Sequence, residues 1–183
     1  HLGQCISFDE NDARATGRVS MGVKGMNLAD GDSVIGMQVA EENGELLFVS
    51  EMGMGKKTAM SEFKDQNRGG KGIRCYRVNA KTGNLAGVKV YKEGYELMLI
   101  TTEGTVIRMK TDTIPVLGRD TSGVKLMQVD QENVKVSSIE LIEESKEEEF
   151  TEPQAERTVA AVLLGFDRVD ADPQPAGNLG ALE

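Results

Sequence analysis

The chain has 183 residues, a formal net charge of -9, one histidine and two cysteines. It contains no run of 18 or more apolar residues and no charged start followed by an apolar stretch, so the sequence predicts neither a membrane span nor a signal peptide. His1 and the widely separated Cys5 and Cys75 do not have the spacing of zinc ligands, which favours reduced thiols in a cytoplasmic protein.

The predicted elements before residue 144 are strands. Short segments rich in Val, Ile, Leu, Met and Thr alternate with Gly, Asn and Asp, as strands alternate with turns. "ELLFVS" (45–50) is apolar on both faces and predicts an interior strand, whereas "TVIRMK" (105–110) alternates apolar and cationic residues and predicts one buried and one charged face. No stretch before residue 140 predicts an amphipathic helix.

These segments recur about every fifty residues, a spacing typical of repeat architectures. "GRVSMGVKGM" (17–26) returns as "GRDTSGVKLM" (118–127), with "NRGGKGIRCY" (67–76) halfway between them. "SVIGMQV", "LAGVKV" and "VKVSSIEL" are predicted to complete the successive units. We therefore predict an all-β, propeller-like partial array with four antiparallel strands in each unit. The predicted units are 1–43, 44–94 and 95–143.

The first predicted unit lacks its opening strand, and the chain starts at His1 rather than Met. We therefore expect a fragment of a longer protein.

Residues 144–183 are predicted to form an acidic and mostly disordered tail. The run "EESKEEEFTEPQAE" (143–156) is too charged and too poor in apolar residues to offset the entropy of ordering it. An alternative function for this run is competition with an anionic ligand for a basic surface. The final stretch, 157–183, resembles neither the repeats nor the acidic run.

The charge is unevenly distributed along the chain. Residues 1–139 contain 18 Lys or Arg and 18 Asp or Glu, whereas residues 140–183 contain 3 and 12. Residues 54–92 carry ten bases and only two acids. The acidic sum therefore does not exclude an anionic partner for the repeats.

"QNRGGKG" (66–72) has the composition of a phosphate-binding loop. Glycines let a backbone approach a phosphate closely, and Arg68 and Lys71 add positive charge from the same loop. The alternative is that the glycines serve a tight connection between blades. Cations at equivalent positions of all three units favour a surface that follows a phosphate backbone. These cations are Arg18, Arg68 and Arg119, and Lys24, Arg74 and Lys125.

The sequence predicts no catalytic residues and no metal site in this chain. An activated Ser or Cys normally needs a neighbouring base, and the only histidine is terminal. "GMGKKT" (53–58) lacks the glycine and hydroxyl spacing of a P-loop.

Several segments resemble the C-terminal domain of the A subunit of bacterial DNA gyrase. They are "ISFDENDARATGR", "MGKKTAMSEF", "RGGKGI" and "LGRDTSGVKLM". The resemblance implies a β-pinwheel that wraps DNA around its rim, of which this chain looks like the last three blades. "QNRGGKG" resembles the gyrase box of the family, with Asn67 where a basic residue is common, and looks like one of its later copies.

The resemblance further implies a parent type II topoisomerase that uses ATP and Mg to introduce negative supercoils. ATP and Mg would act through the B subunit, which with a second A subunit would join through regions outside this chain. The cleavage tyrosine would also lie outside it, so Tyr76, Tyr91 and Tyr95 are not candidates.

We expect the repeats to bind double-stranded DNA without sequence preference. The predicted DNA-binding residues are Arg18, Lys24, Lys56, Lys57, Gln66, Arg68, Gly69, Gly70, Lys71, Gly72, Arg74, Arg108, Arg119 and Lys125. Two alternatives remain at this point, namely the related C-terminal domain of topoisomerase IV and a protein-binding propeller scaffold.

Overall fold

The computed structural model describes residues 1–41, 43–129 and 134–143. Nine strands are present in this part: β1 Gln4–Cys5, β2 Glu45–Ser50, β3 Met54–Ala59, β4 Ile73–Arg74, β5 Leu85–Val90, β6 Tyr95–Thr101, β7 Val106–Lys110, β8 Val124–Lys125 and β9 Val136–Glu143. Single turns of 3-10 helix occur at Glu10–Asp12, Met60–Glu62 and Thr111–Thr113. The described residues form no α-helix, as the sequence predicts. The predicted tail, 144–183, lies outside the described residues.

The middle sheet has the strand order β5-β2-β3-β8, with every neighbouring pair antiparallel. The prediction of an interior strand at 45–50 is confirmed, because β2 lies between β3 and β5. Successive residues of a strand point to opposite faces. Accordingly, Leu47 and Val49 enter one apolar cluster, and Phe48 enters the other with Tyr76.

A second sheet of three strands has the order β7-β6-β9. Leu97 and Leu99 on β6 and Ile139 on β9 pack in the same cluster as Leu47, which joins the two sheets through one core. On β7, Ile107 and Met109 pack toward this core while Arg108 and Lys110 are exposed. The predicted alternation of apolar and cationic faces at 105–110 is confirmed.

Each of the second and third repeats contributes a two-residue strand that pairs with a strand of the repeat before it. In β4, Ile73 pairs with Cys5 of β1, and in β8, Val124 pairs with Gly55 of β3. The middle sheet thus has the predicted four strands, but its fourth strand comes from the following repeat. This exchange places the loops before β4 and β8 at the boundaries between repeats.

The first repeat differs from the prediction. Among its described residues only β1 is a strand, and "SVIGMQV" (33–39) is not one, whereas β5 and the β9 segment fulfil the equivalent predictions. β5 and β9 pair with the central strands β2 and β6, and no described strand offers that pairing to residues 33–39. Val34, Met37 and Val39 are consequently exposed.

Both Cys5 and Cys75 are free thiols. In the described part of the chain, no helix is long and apolar enough to cross a membrane.

Candidate nucleic-acid interface

The segment "QNRGGKG" lies against the first repeat. We call residues 66–72 the second box, and the equivalent residues 16–22 and 117–123 the first and third boxes. The amide of Gly69 donates to the carbonyl of Gly25 at 2.8 Å, and the carbonyl of Gly70 accepts from the amide of Asn27 at 2.8 Å. These backbone groups connect two repeats, as the alternative interpretation of the glycines predicted.

The box arginines make the same contact at successive boundaries. A terminal nitrogen of Arg68 donates to the carbonyl oxygen of Lys24, and that of Arg119 donates to the carbonyl oxygen of Arg74. Both pairs join equivalent positions of neighbouring repeats. Each arginine therefore fixes the backbone beneath the cation of the preceding repeat, and both arginines are half-buried.

The last glycine of the second and third boxes is required by a close approach of two backbones. Gly72 has φ +73°, and a Cβ there would lie 2.2 Å from the carbonyl oxygen of Cys5. Gly123 has φ +74°, and its Cβ would lie 2.5 Å from the carbonyl oxygen of Gly55. A side chain at either position would push the exchanged strand away from its partner.

Two predicted DNA-binding residues are buried, and for them the prediction is not supported. Lys56 has no exposed surface, and its ammonium donates to the carbonyl oxygens of Gly118 at 2.8 Å and Arg119 at 2.6 Å. Lys57 is 6% exposed and lies 3.3 Å from a carboxylate oxygen of Glu45. Both ammonium groups are engaged inside the fold and do not face a phosphate.

Two aromatic rings also lie near the Lys56 ammonium. This ammonium lies 5.8 Å from the ring centre of Phe48 and 5.4 Å from that of Tyr76. Loss of hydration on burial lowers the pKa of Lys56 to about 8. Lys56 therefore acts as a structural connection between the middle sheet and the third box.

Several predicted cations are exposed. Their ammonium or guanidinium groups face solvent at the boundaries, and Lys71 makes no hydrogen bond or ion pair with another described residue. Lys24 donates to the side-chain oxygen of Asn27 at 2.7 Å, which leaves its charge uncompensated. The exposed cations at the boxes and the exchanged strands are Arg18, Lys24, Lys71, Arg74 and Lys125.

Arg108 and Gln66 have other surroundings. Arg108 is exposed on β7, but its guanidinium is paired with the carboxylate of Glu96 on β6, so its charge is largely compensated. The side-chain nitrogen of Gln66 is buried without a hydrogen-bond partner in the described structure, and its backbone amide donates to the carbonyl of Ser7 at 2.8 Å. Gln66 therefore offers no side-chain donor on the surface, and Arg108 offers a guanidinium whose charge is already paired with a carboxylate.

Exposed cationic groups on such a surface can bind anions. Exposed cations recur at equivalent positions, and fixed backbone contacts set their spacing. The described residues contain no group of three or more His, Cys, Asp or Glu that could hold a metal ion.

The sequence of the chain is similar to that of a known protein family. A model of the DNA gyrase C-terminal domain, described as a β-propeller, matches residues 1–41, 44–92 and 95–143. The chain belongs to this family.

Gyrase A proteins are similar to it in sequence. The DNA gyrase A protein of Ureaplasma parvum is 43% identical over 138 residues, which covers 75% of the chain and 16% of the relative. That of Pseudomonas aeruginosa is 34% identical over 174 residues, covering 95% of the chain and 18% of the relative. The chain thus spans less than a fifth of the length of these relatives.

Solved structures of such domains are similar in fold. A DNA gyrase A C-terminal domain has a TM-score of 0.69 at 29% identity, with 75% of this chain and 47% of that one covered. The C-terminal domain of a DNA topoisomerase IV has a TM-score of 0.72 at 25% identity, with coverages of 79% and 45%. These matches confirm the predicted pinwheel-like, all-β fold.

The second and third boxes differ in charge at two positions. The third box has Asp120 where the second has Gly69, and Ser122 where the second has Lys71. Asp120 lies 3.6 Å from Arg74 and 3.3 Å from Arg77 of the second repeat. Sequence reasoning missed both Arg77 and Asp120, because neither type recurs at its position in the other repeats.

Proposed function

We propose that this gyrase C-terminal chain binds duplex DNA without sequence preference and bends it along the boundaries between its repeats. The exposed cations would contact successive phosphates, which hold a duplex in place without reading its bases. The cations proposed to do so are Arg18, Lys24, Lys71, Arg74 and Lys125.

The observation that carries this proposal is the repeated contact from a box arginine to the carbonyl of the preceding cation. Arg68 holds Lys24 and Arg119 holds Arg74 in the same way. A regular spacing of fixed cations suits a polymer whose charges are also regularly spaced. In this proposal the half-buried arginines position the exposed cations, and these cations bind the duplex.

In the complete protein we propose a contribution to ATP-dependent negative supercoiling of DNA. The chain would hold a DNA segment, while strand cleavage and ATP hydrolysis with Mg would take place outside this chain, in a complex with a second A subunit and with the B subunit. The working enzyme would act in the cytoplasm. The chain itself is proposed to carry binding residues alone.

The reported sequence relatives are gyrase A proteins, so the topoisomerase IV alternative is not favoured. The activity of the complete enzyme distinguishes the two. The gyrase assignment predicts that the enzyme supercoils relaxed circular DNA in the presence of ATP. An enzyme that relaxes and decatenates DNA but does not supercoil it would contradict the assignment.

Binding itself is tested with the full-length protein and two duplexes of equal length and unrelated sequence. Fluorescence anisotropy should give similar affinities for both, each falling as salt is raised. A strong preference for one sequence, or binding that ignores salt, would contradict the proposed mode.

A further inference from the structure

The third box places a carboxylate between two exposed arginines of the second repeat. One oxygen of Asp120 lies 3.6 Å from a terminal nitrogen of Arg74, and the other lies 3.3 Å from a terminal nitrogen of Arg77. The side chains of Arg74 and Arg77 are 55% and 59% exposed, and that of Asp120 is 41% exposed. All three groups are therefore open to a ligand from solvent.

The backbone around these groups is held firmly. The amide of Arg77 donates to the carbonyl of Thr121 at 3.0 Å, and the hydroxyl of Ser122 donates to the carbonyl of Arg77 at 2.9 Å. The carbonyl of Arg74 accepts from Arg119. The origins of both arginine side chains are thus fixed relative to the third box, while their guanidinium groups remain able to exchange partners.

The other boundary supplies an internal comparison. There Lys24 takes the place of Arg74, Asn27 that of Arg77, and Gly69 that of Asp120. The first boundary has no acid at this position, and Lys71 adds a cation where the third box has Ser122. The two boundaries therefore share a backbone arrangement, but only the second has a carboxylate beside its cations.

We propose that Arg74 and Arg77 form a phosphate-binding site at the second boundary, and that Asp120 occupies it until a DNA phosphate displaces the carboxylate. A carboxylate and a phosphate both present two oxygens to paired guanidinium groups. Asp120 is thus a built-in competitor that weakens DNA binding at this boundary relative to the first one. The inference rests on the proposed DNA-binding function and adds its regulation.

The size of the effect follows from the exposure of the pair. Exposed ion pairs are weak, so removal of Asp120 should change the affinity for DNA by no more than about fivefold. Release of Asp120 also leaves an additional cation to neutralise DNA, so the slope of log affinity against log salt should steepen by about 1.

The test compares Asp120→Asn with Glu140→Gln in the full-length protein, using a duplex of arbitrary sequence as the probe. Both substitutions remove one negative charge from an exposed ion pair, because Glu140 pairs with Lys89 at 2.7 Å. We expect D120N to bind DNA about twofold to fivefold more tightly with a steeper salt slope. E140Q should change the affinity less than about twofold.

A second pair of variants tests whether the tighter DNA binding of D120N depends on Arg74 and Arg77. In an Arg74→Gln, Arg77→Gln background, D120N should give no gain. A gain that persists in this background, or equal responses of D120N and E140Q, would overturn the competition while leaving the proposed DNA binding intact. No salt-dependent binding by the parental protein would overturn both proposals.

Discussion

Lys56 on β3 donates a hydrogen bond to the carbonyl oxygen of Arg119 in the third box, at 2.6 Å. The same ammonium also reaches the carbonyl of Gly118 and lies beside two aromatic rings. A lysine that resembles a DNA ligand in the sequence thus serves to fix the third box in place.

Substitution of Lys56 by Ala should reduce the free energy of unfolding by about 2 to 4 kcal/mol. The change removes the packing against Phe48 and Tyr76 and leaves two carbonyl oxygens without their donor. Urea unfolding measures the loss. Lys71→Ala is the control, because this exposed side chain should change stability by less than about 0.5 kcal/mol. Equal effects of the two substitutions would contradict the structural role of Lys56.

The stability of the protein should rise with pH relative to a Lys56→Met variant. The folded protein releases the Lys56 proton at about pH 8, whereas the unfolded chain keeps it to the ordinary lysine pKa of 10.5. Between these values the unfolded state binds more protons, so raising the pH favours folding. The free energy of unfolding of the parental protein minus that of the variant should increase by up to about 1.4 kcal/mol per pH unit in this range and stay constant at lower pH. A difference that does not change between about pH 7 and pH 10 would contradict the buried ammonium.

Gly72→Ala should destabilise the first boundary far more than Gly22→Ala. Both glycines have a positive φ, +73° and +76°, so both substitutions carry a conformational cost of about 1 kcal/mol. Only at Gly72 would the added Cβ also meet a backbone atom, at 2.2 Å from the oxygen of Cys5. We expect a total loss of about 3 kcal/mol or more for G72A in urea unfolding. Similar losses for the two variants would show that β1 and β4 are not packed as described.

Much of the fold follows from the sequence pattern, because strands and turns are local features. The interior position of β2 and the alternation along β7 were predictable from apolar residues at 45–50 and 105–110. The pairing of β4 and β8 with strands of the preceding repeat was not predictable, because a two-residue strand is too short for its residue pattern to indicate its partner.

Within the candidate site, the recurrence of cations was predictable, but their burial was not. "MGKKTA" shows two adjacent lysines, which suggest an exposed basic strand. Comparison of the repeats indicates a buried position for Lys56, because the apolar residues Ile6 and Ile107 stand at the equivalent positions. The pairing of Asp120 with Arg77 depends on a contact between repeats, which a pattern within one repeat does not reveal.

Loss of a single boundary cation should lower the salt dependence of DNA binding. Lys71→Gln in the second box is expected to reduce the magnitude of the slope of log affinity against log salt by about 0.9. Lys92→Gln removes the same charge from an exposed residue between β5 and β6 that belongs to none of the boxes, and should leave the slope unchanged. Equal reductions would indicate that overall charge, rather than the boundaries, governs binding.

The salt dependence of a variant with Lys24, Lys71, Arg74 and Lys125 all replaced by Gln tests the central claim most directly. Circular dichroism should first show that this variant keeps the β-structure of the parental protein. Binding to a duplex of arbitrary sequence is then followed over a range of salt concentrations. The slope of log affinity against log salt should be smaller in magnitude than that of the parental protein by about 3 to 4. A folded variant that binds duplex DNA with the parental slope would contradict DNA binding through the repeat boundaries.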